Sequence, residues 1–309
     1  MSLIEKDRQD FISGRVAKPE FIKKMYDDWH KNLFEYAASI HQTNVKSIEI
    51  IDSDVIMTTR DRGLRFAAVE LDRRIAPIAM LNFYDYEKDE TQMIENLVGK
   101  GSCVLDVGAN IGWYSINLAA ARRDMKIYAF EPIPRTYEIL QKNIKLNHLT
   151  NIRANNFGFS DKPGVFPFFY YPEGSGNASL SNLTGREYID SIECDLSTID
   201  DYVQEENIKV DFIKCDVEGA ELLVFRGGVM TIERDKPIVF SEILRKWSAK
   251  FDYNPNDIFE FFQSLGYRAF SVKGEKLQDF IKMDESTVET NFFFLHKEKH
   301  AQYIDLYAR

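Results

Sequence analysis

Cysteine is scarce in this sequence, which has three cysteines among 309 residues and no C-x-x-C pair. Disulfide scaffolds and structural zinc sites need more cysteines at closer spacing, so neither kind of site is expected. The three are Cys103, Cys194 and Cys215, and two of them lie in or beside predicted strands. This placement is typical of buried thiols in a reducing compartment.

Long apolar runs are also missing. No stretch is long enough to span a bilayer, and residues 1–10 are mostly polar, without the apolar core of a signal peptide. We therefore expect a cytoplasmic protein without a membrane span. The glycosylation patterns that begin at Asn177 and Asn182 are discounted because no secretion signal accompanies them.

Basic residues are fewer than acidic ones, so the net charge is negative. Lysine and arginine number 39 against 49 aspartates and glutamates, so the formal net charge is −10. This charge argues against a nucleic-acid backbone as a partner. With 44% hydrophobic residues the chain can bury a full core, either as one large domain or as a domain with an appendage.

The most informative segment that is present covers residues 104–114, VLDVGANIGWY. An apolar run over 104–107 predicts a strand buried on both faces, and Gly108 ends it. Asn110 is a favoured helix N-cap type, and residues 113–121 are predicted to be helical. Gly108 and Gly112 leave no side chain at the turn, so a ligand is expected to approach the backbone there. Free N–H groups at the helix start would suit an anionic group, which we take to be a carboxylate.

Acidic residues mark the ends of the first two strands. Asp106 lies within the apolar run and needs hydrogen-bond donors at the strand end. Glu131 ends the next strand, at the distance from Gly108 that a βαβ unit uses to place a carboxylate on a ribose diol. Together with Pro132 and with Asn156 near the end of a third strand, these residues form the predicted cofactor site. Dinucleotide enzymes use G-x-G-x-x-G, whereas the turn here reads GANIG, which favours S-adenosylmethionine over NAD.

Three segments carry a family resemblance. DVGANIG at 106–112, FEP at 130–132 and DVEGAE at 216–221 together resemble the FkbM family of S-adenosylmethionine-dependent methyltransferases, over about residues 84–295. The resemblance implies O-methylation of a hydroxyl group of a sugar or natural product, so the expected partner is a small-molecule or glycan acceptor. An NAD-dependent oxidoreductase and a non-catalytic cofactor-binding protein are the alternatives. Neither the acceptor nor the oligomeric state can be read from the sequence.

Alternating strands and helices predict an α/β fold with a doubly wound sheet. The resemblance adds that residues 84–309 form a class I methyltransferase-like Rossmann fold, mostly parallel, with an antiparallel last strand. Residues 1–83 are predicted to be a small α+β appendage, with a helix over 19–40 and strands at 48–51, 55–57 and 66–69. The apolar stripe of that helix is assigned to core packing, with partner binding as the alternative.

The remaining predicted elements follow in chain order. Helices are predicted at 87–98, 134–147, from Ser197 onward and at 254–265, and strands at 152–159, 210–216, 238–243, 267–272 and 291–295. Residues 165–177 are predicted to be an inserted hairpin and loop. Its aromatic residues 168–171 are assigned to an acceptor lid, with core packing as the alternative.

Carboxylates are the predicted catalytic groups. The candidates are Glu218 as general base, Glu242 as the second choice and Asp216, which is also expected to line the cofactor. Glu221 lies in the first turn of the next helix, where a structural role is equally expected. Lys214 could also act as a general base, but a solvated or ion-paired lysine is the favoured interpretation.

Histidine and metal chemistry are not expected at this site. His30 and His41 lie in the appendage, His148 follows a helix, and His296 and His300 lie at the opposite edge or in the tail. The neighbouring carboxylates could bind a divalent cation, but their spacing fits no EF-hand loop and no histidine or cysteine cluster accompanies them. We therefore expect a reaction without metal.

Overall fold

The computed structural model describes residues 1–170, 179–180 and 190–308. The N-terminal region is helical and consists of α1 (Leu3–Ile12), α2 (Lys18–Lys24), a π-helical segment (Met25–His30), α3 (Lys31–Ser39) and a 3₁₀ turn (Ile40–Gln42). The helix predicted over 19–40 is thereby confirmed. Its assignment to core packing is largely wrong, because Met25 is the buried member of the stripe while Ile22 and Leu33 are each 57% exposed.

A small antiparallel sheet follows, with the order β1 (Val45–Ile51), β2 (Asp54–Thr59) and β3 (Arg65–Ala68). It confirms the three predicted strands. A helix that the sequence analysis missed, α4 (Ala76–Phe83), comes next. Because α4 is apolar on all sides, it lacks the periodic polar face by which an amphipathic helix is recognised.

The remaining elements build the main sheet and its insertion. The strands are β4 (Cys103–Val107), β5 (Lys126–Phe130), β6 (Ile152–Asn155), β7 (Gly158–Phe159), β8 (Gly164–Tyr170), β9 (Asp190–Ser197), β10 (Phe212–Cys215), β11 (Ile238–Glu242), β12 (Tyr267–Lys273), β13 (Lys276–Phe280) and β14 (Asn291–His296). The helices are α5 (Lys88–Leu97), α6 (Trp113–Ala121), α7 (Pro134–Leu146), α8 (Ile199–Glu206), α9 (Glu221–Arg226), α10 (Val229–Asp235), α11 (Arg245–Ser248), α12 (Asn256–Ser264) and α13 (Ala301–Tyr307).

The main sheet has eight strands in the order β13-β12-β14-β11-β10-β4-β5-β6. Strands β6, β5, β4, β10 and β11 are parallel, and β14 is antiparallel to both of its neighbours. This order confirms the expected class I methyltransferase-like Rossmann fold, including the antiparallel last strand. Strand β13, which pairs with β12 as a hairpin, was not predicted.

The strand predicted over 152–159 is wrong as a single element. It divides into β6, which pairs with β5, and β7, which joins β9 and β8 in a separate three-stranded sheet. The antiparallel pairing of β8 with β9 confirms the predicted inserted hairpin. Tyr171, the loop at 174–177 and the second glycosylation pattern lie outside the described residues.

The core occupies both faces of the main sheet. Val104 packs on one face, and Leu105 and Val107 pack on the other, as the alternation along a strand requires. Phe66 of β3 joins the first of these clusters, and its ring centroid lies 5.3 Å from that of Trp113. Burying one such aromatic side chain contributes roughly 1.5–3 kcal/mol, so the small sheet is anchored on the main one. The division between residues 83 and 84 stays a prediction.

Two findings bear on the compositional predictions. All three cysteines are buried free thiols. Within the described ranges, the helices are too short or too polar to cross a bilayer.

Candidate active site

A cavity of about 530 Å³ opens where the parallel strands β4, β5, β10 and β11 end. This is the edge at which open α/β sheets bind ligands. Seven of the predicted site residues line the cavity: Gly108, Asn110, Glu131, Pro132, Asp216, Glu218 and Glu242. Asp106, Gly112 and Asn156 are not among the lining residues.

The glycines of the first turn are required by the protein's own packing. Gly108 has φ +73°, and a Cβ there would lie 1.8 Å from the backbone oxygen of Asp216. Gly112 has φ +91°, and its Cβ would lie 2.5 Å from Cδ1 of Leu140. Packing within the protein therefore requires both glycines. Gly108 also lines the cavity, where the approach of a ligand to the backbone stays a prediction, whereas Gly112 does not line it.

The turn before α6 uses its own N–H groups in internal hydrogen bonds, while an anionic group at the helix start stays a prediction. The N–H groups of Gly108 and Ala109 donate to the Phe130 oxygen at 3.1 and 2.9 Å. Asn110 is not the helix N-cap, since Gly112 holds that position. Instead Asn110 has φ +48°, a left-handed conformation that asparagine tolerates, and its N–H donates to the Glu131 carboxylate. These N–H groups are therefore engaged within the protein.

Glu131 is held at the cavity by two backbone donors. The N–H of Asn110 lies 3.0 Å from Oε2, and that of Ile133 lies 2.9 Å from Oε1. Burial raises the pKa of Glu131 to about 7, although both hydrogen bonds oppose the shift. A carboxylate offers about four acceptor positions, so two remain for a ligand. Asn156 acts indirectly, because its amide donates to the Glu131 and Pro132 backbone oxygens at 2.9 and 3.1 Å.

Asp106 lies beneath the cavity floor. Its Oδ2 accepts hydrogen bonds from Oγ and N–H of Ser115, at 2.6 and 3.2 Å, and its Oδ1 lies 3.5 Å from Nζ of Lys214. The predicted need for donors is met by Ser115 of α6, and Lys214 of β10 adds an ion pair. Asp106 thus links the end of β4 to α6 and to Lys214 instead of lining the cavity.

Lys214 is a buried, ion-paired cation. Its Nζ donates to the Gly108 oxygen at 2.6 Å and lies 3.4 Å from Oδ2 of Asp216. Burial lowers the pKa of Lys214, but the charges of Asp216 and Asp106 outweigh it and raise the pKa overall. The ion pairs with Asp216 and Asp106 support the ion-paired alternative over a role for Lys214 as the general base.

Three carboxylates converge on the other side of the cavity. Asp216, Glu218 and Glu242 each place one oxygen within 4.8 Å of the others. Oε2 of Glu218 is buried and accepts no hydrogen bond from the described residues. Burial and the neighbouring charges raise the pKa of Glu218 well above its ordinary value and that of Glu242 to about 9. Both side chains therefore hold a proton more readily than an ordinary glutamate does.

Glu221 belongs to the scaffold. Its carboxylate accepts hydrogen bonds from the N–H groups of Val217 and Gly219, at 3.2 and 2.9 Å, and from the Tyr253 hydroxyl. It is 1% exposed and does not line the cavity. This supports the structural alternative, in which Glu221 fixes the turn that carries Glu218.

Glu87 is the acidic lining residue that sequence reasoning missed as a site. It has φ +42°, precedes α5 and accepts a hydrogen bond from the Tyr114 hydroxyl. Burial raises the pKa of Glu87 to about 7, with the charge of Asp216 adding to the effect. Glu87 lies in no recognisable motif, so only the fold brings it to the cavity. Of the expected aromatic lid, Phe168 lines the cavity.

Comparison with known proteins adds a family assignment. The family described as methyltransferase FkbM domain matches residues 106–269, more than half of the chain. Methyltransferase sdnD of Sordaria araneosa is 29% identical over 187 residues, covering 48% of this chain and 72% of that protein. The 2-O-methyltransferase NoeI of Sinorhizobium fredii is 25% identical over 164 residues, covering 48% of this chain and 66% of that protein. The crystal structure of methyltransferase FkbM from Methylobacillus flagellatus KT matches with a TM-score of 0.43 and 14% identity, over 88% of this chain and 60% of that one.

Proposed function

Because the chain belongs to the FkbM family of methyltransferases, we propose that it transfers the methyl group of S-adenosylmethionine to a hydroxyl group of a sugar or natural-product acceptor. The observation that carries the proposal is the Glu131 carboxylate, which two backbone N–H groups hold at the cavity beside the Gly108–Asn110 turn. The related 2-O-methyltransferase supports a hydroxyl acceptor. As a methyltransferase, the chain is neither an oxidoreductase nor a non-catalytic binder.

The residues of the cavity fit the cofactor. The two remaining acceptor positions of Glu131 suit the hydroxyls of the cofactor's ribose. Pro132 and Gly158, which also line the cavity, would contact the adenine ring. The unpartnered Oε2 of Glu218, with Asp216 beside it, suits a nearby positive charge. When bound, S-adenosylmethionine would supply a methyl group that its sulfonium has already activated.

The protein's own part in the reaction is alignment and proton removal. Orientation of the acceptor oxygen can contribute on the order of 7–11 kcal/mol to lowering the barrier. Glu218 would accept the hydroxyl proton as the methyl transfers, with Glu242 as the second candidate. Asp216 would form an ion pair with Lys214 and lie beside the positive charge of the cofactor. A positive charge near Glu218 lowers its pKa, because it stabilises the ionised form that a base needs.

Separate calorimetric titrations with S-adenosylmethionine, S-adenosylhomocysteine and NAD test the cofactor assignment. We expect one site for each of the first two ligands and no binding of NAD. A protein that bound NAD, or bound none of the three, would contradict the proposal. Binding of S-adenosylmethionine should also release protons, because the cation lowers the raised pKa values of Glu218 and Glu242. Titration in two buffers of different ionisation enthalpy measures that release.

A further inference from the structure

Glu87 lies immediately before α5, and its side chain lines the cavity. The residue is left-handed, with φ +42° and ψ +46°, a conformation that is unfavourable for a residue with a Cβ. A side chain at a helix N-cap commonly accepts a hydrogen bond from the first turn, but the Glu87 side chain accepts none from α5. Strained backbone of this kind is found at ligand sites, where the surrounding structure holds it in place. The side chain therefore serves the cavity and not the helix.

One hydrogen bond within the protein fixes the Glu87 carboxylate. The Tyr114 hydroxyl donates to Oε2, and Tyr114 lies in the first turn of α6. A carboxylate offers about four acceptor positions, so this single bond leaves room for a ligand donor. Since α6 continues directly from the turn at 108–112, Glu87 lies on the helix side of that turn. Glu131 lies on the strand side, where it accepts from the Asn110 N–H.

Glu87 forms no ion pair with the residues that the structure describes. The lysine of the cavity wall is Lys214, whose Nζ lies 5.8 Å from the centre of the Tyr114 ring. Its charge is already matched by two other carboxylates, those of Asp106 and Asp216, at 3.5 and 3.4 Å. A carboxylate that is withdrawn from water without a cation is costly, so a cationic group of a ligand would stabilise it.

The other acidic lining residues already have partners or roles in the proposed function. Glu131 accepts from the ribose, Asp216 is paired with Lys214, and Glu218 and Glu242 are the candidate bases for the acceptor hydroxyl. Besides its sulfonium, the cofactor carries one more cation, the ammonium group of its amino-acid end. A short aliphatic chain joins that end to the sulfonium. A cofactor whose ribose is held on the strand side of the turn can therefore extend across the turn to its helix side.

We propose that Glu87 binds the ammonium group of S-adenosylmethionine and that Tyr114 positions the Glu87 carboxylate for this contact. The inference rests on the proposed function and deepens it, because it assigns the amino-acid end of the cofactor to a residue outside the family match at 106–269. A hydrogen bond between two ionised groups is roughly twice as strong as one between neutral groups. Removing the charge of Glu87 should therefore weaken the ligands that carry an ammonium group and spare those that do not.

Three ligands that differ at the amino-acid end test the inference. S-adenosylhomocysteine has both the ammonium and the carboxylate group, decarboxylated S-adenosylhomocysteine has the ammonium group alone, and methylthioadenosine has neither. Calorimetry gives their affinities for the unaltered protein, for Glu87→Gln and Glu87→Asp, and for Glu138→Gln as an exposed control outside the cavity. Glutamine keeps the size of the side chain and an acceptor for the Tyr114 hydroxyl, so it changes the charge alone.

We expect Glu87→Gln to lose at least about tenfold in affinity for the two ligands with an ammonium group and less than about twofold for methylthioadenosine. Glu138→Gln should bind all three as the unaltered protein does. Unchanged binding of methylthioadenosine also shows that the variant is folded. Glu87→Asp keeps the charge and should restore part of the affinity.

Tyr114→Phe removes the bond that positions the carboxylate. It should weaken the two ligands with an ammonium group by a smaller factor than Glu87→Gln does, and again spare methylthioadenosine. An equal loss for all three ligands in this variant would overturn the positioning role of Tyr114.

For Glu87→Gln, an equal loss for all three ligands would identify a structural role and overturn the inference. A loss confined to S-adenosylhomocysteine, or no loss for any ligand, would overturn it as well. Failure of the proposed function is seen separately, because the unaltered protein would then bind none of the three ligands.

Discussion

At the scale of single residues, the site is a set of four carboxylates in three different environments. Glu131 is satisfied by backbone donors, Asp216 is paired with Lys214, and Glu218 and Glu242 are buried beside like charges. Residue type alone would make these side chains equivalent. Their surroundings decide which one can bind a neutral diol, a cation or a proton.

Replacing Glu131 by alanine should weaken S-adenosylhomocysteine binding by about 1–3 kcal/mol, since it removes charge-assisted acceptors for the ribose. Calorimetry measures the change. Glu138→Ala is a matched control, because Glu138 is an exposed glutamate on α7 outside the cavity. If the two variants bind the ligand equally well, Glu131 does not contact the cofactor.

Replacing Glu218 by glutamine should keep cofactor affinity and slow methyl transfer by about 10²–10⁴-fold, as is typical when an acid–base residue is removed. Single-turnover kinetics with a competent acceptor gives the rate. Turnover within a few-fold of the unaltered enzyme would exclude Glu218, and the same substitution at Glu242 then tests the second candidate.

A chelator should leave the reaction rate unchanged, because the methyl group is already activated and the proposed base is a carboxylate. The test discriminates because the carboxylates of Asp216, Glu218 and Glu242 lie close enough together to bind a metal ion. Activity that is lost in EDTA and returns with magnesium would instead identify the three carboxylates as cation ligands.

At the scale of elements, the turn between β4 and α6 is fixed by close approach of two strand ends. Both Gly108 and Gly101 have positive φ, at +73° and +67°. A Cβ at Gly108 would collide with the Asp216 backbone, whereas a Cβ at Gly101 would meet nothing within 4 Å. Substituting each glycine in turn therefore separates two contributions to the free energy of unfolding: the left-handed backbone conformation and the steric collision.

Gly101→Ala should cost only the left-handed penalty, about 1–2 kcal/mol. Gly108→Ala should cost more than about 4 kcal/mol in the free energy of unfolding, because backbone atoms must move apart. Urea denaturation measures both. Similar losses in the two variants would show that the approach of Asp216 to Gly108 is not tight.

Several elements could be predicted because their signal is local. The strand at 104–107 and the helix at 113–121 follow from an apolar run, a glycine turn and helix periodicity. Helix α4 was missed because it is apolar all round, and β13 because its five residues, KLQDF, show no alternation of apolar and polar side chains. The break between β6 and β7 was missed since one short segment, IRANNFGF at 152–159, contributes strands to two sheets.

At the scale of the whole molecule, buried carboxyl groups link stability to pH. The pKa of Glu242 is raised to about 9, and those of Glu87, Glu131 and Glu221 to about 7, with burial as the main cause in each case. A carboxyl group whose folded pKa is raised binds more protons in the folded state than in the unfolded state. Its contribution to stability is therefore complete below the unfolded pKa and is lost as the pH rises through the folded value.

The free energy of unfolding of the ligand-free protein should accordingly fall as the pH rises from about 4.5 toward 9. Glu242→Gln should flatten the upper part of this dependence, because glutamine does not ionise. Urea denaturation at a series of pH values gives the slope. A slope in Glu242→Gln identical to that of the unaltered protein between pH 7 and 9 would contradict the raised pKa.

The sequence by itself determined the order of strands and helices, the glycine turn and the acidic strand ends, because these depend on neighbours along the chain. Only the tertiary structure decided which side chains share the cavity. It places Glu87 and several residues of 73–83 at the cavity. Asn156 and Asp106 do not line the cavity but form hydrogen bonds with residues around it. The two turn glycines are required by close packing within the protein. The physical reason is that burial, charge pairing and steric contact arise between residues far apart in sequence, and no local pattern records them.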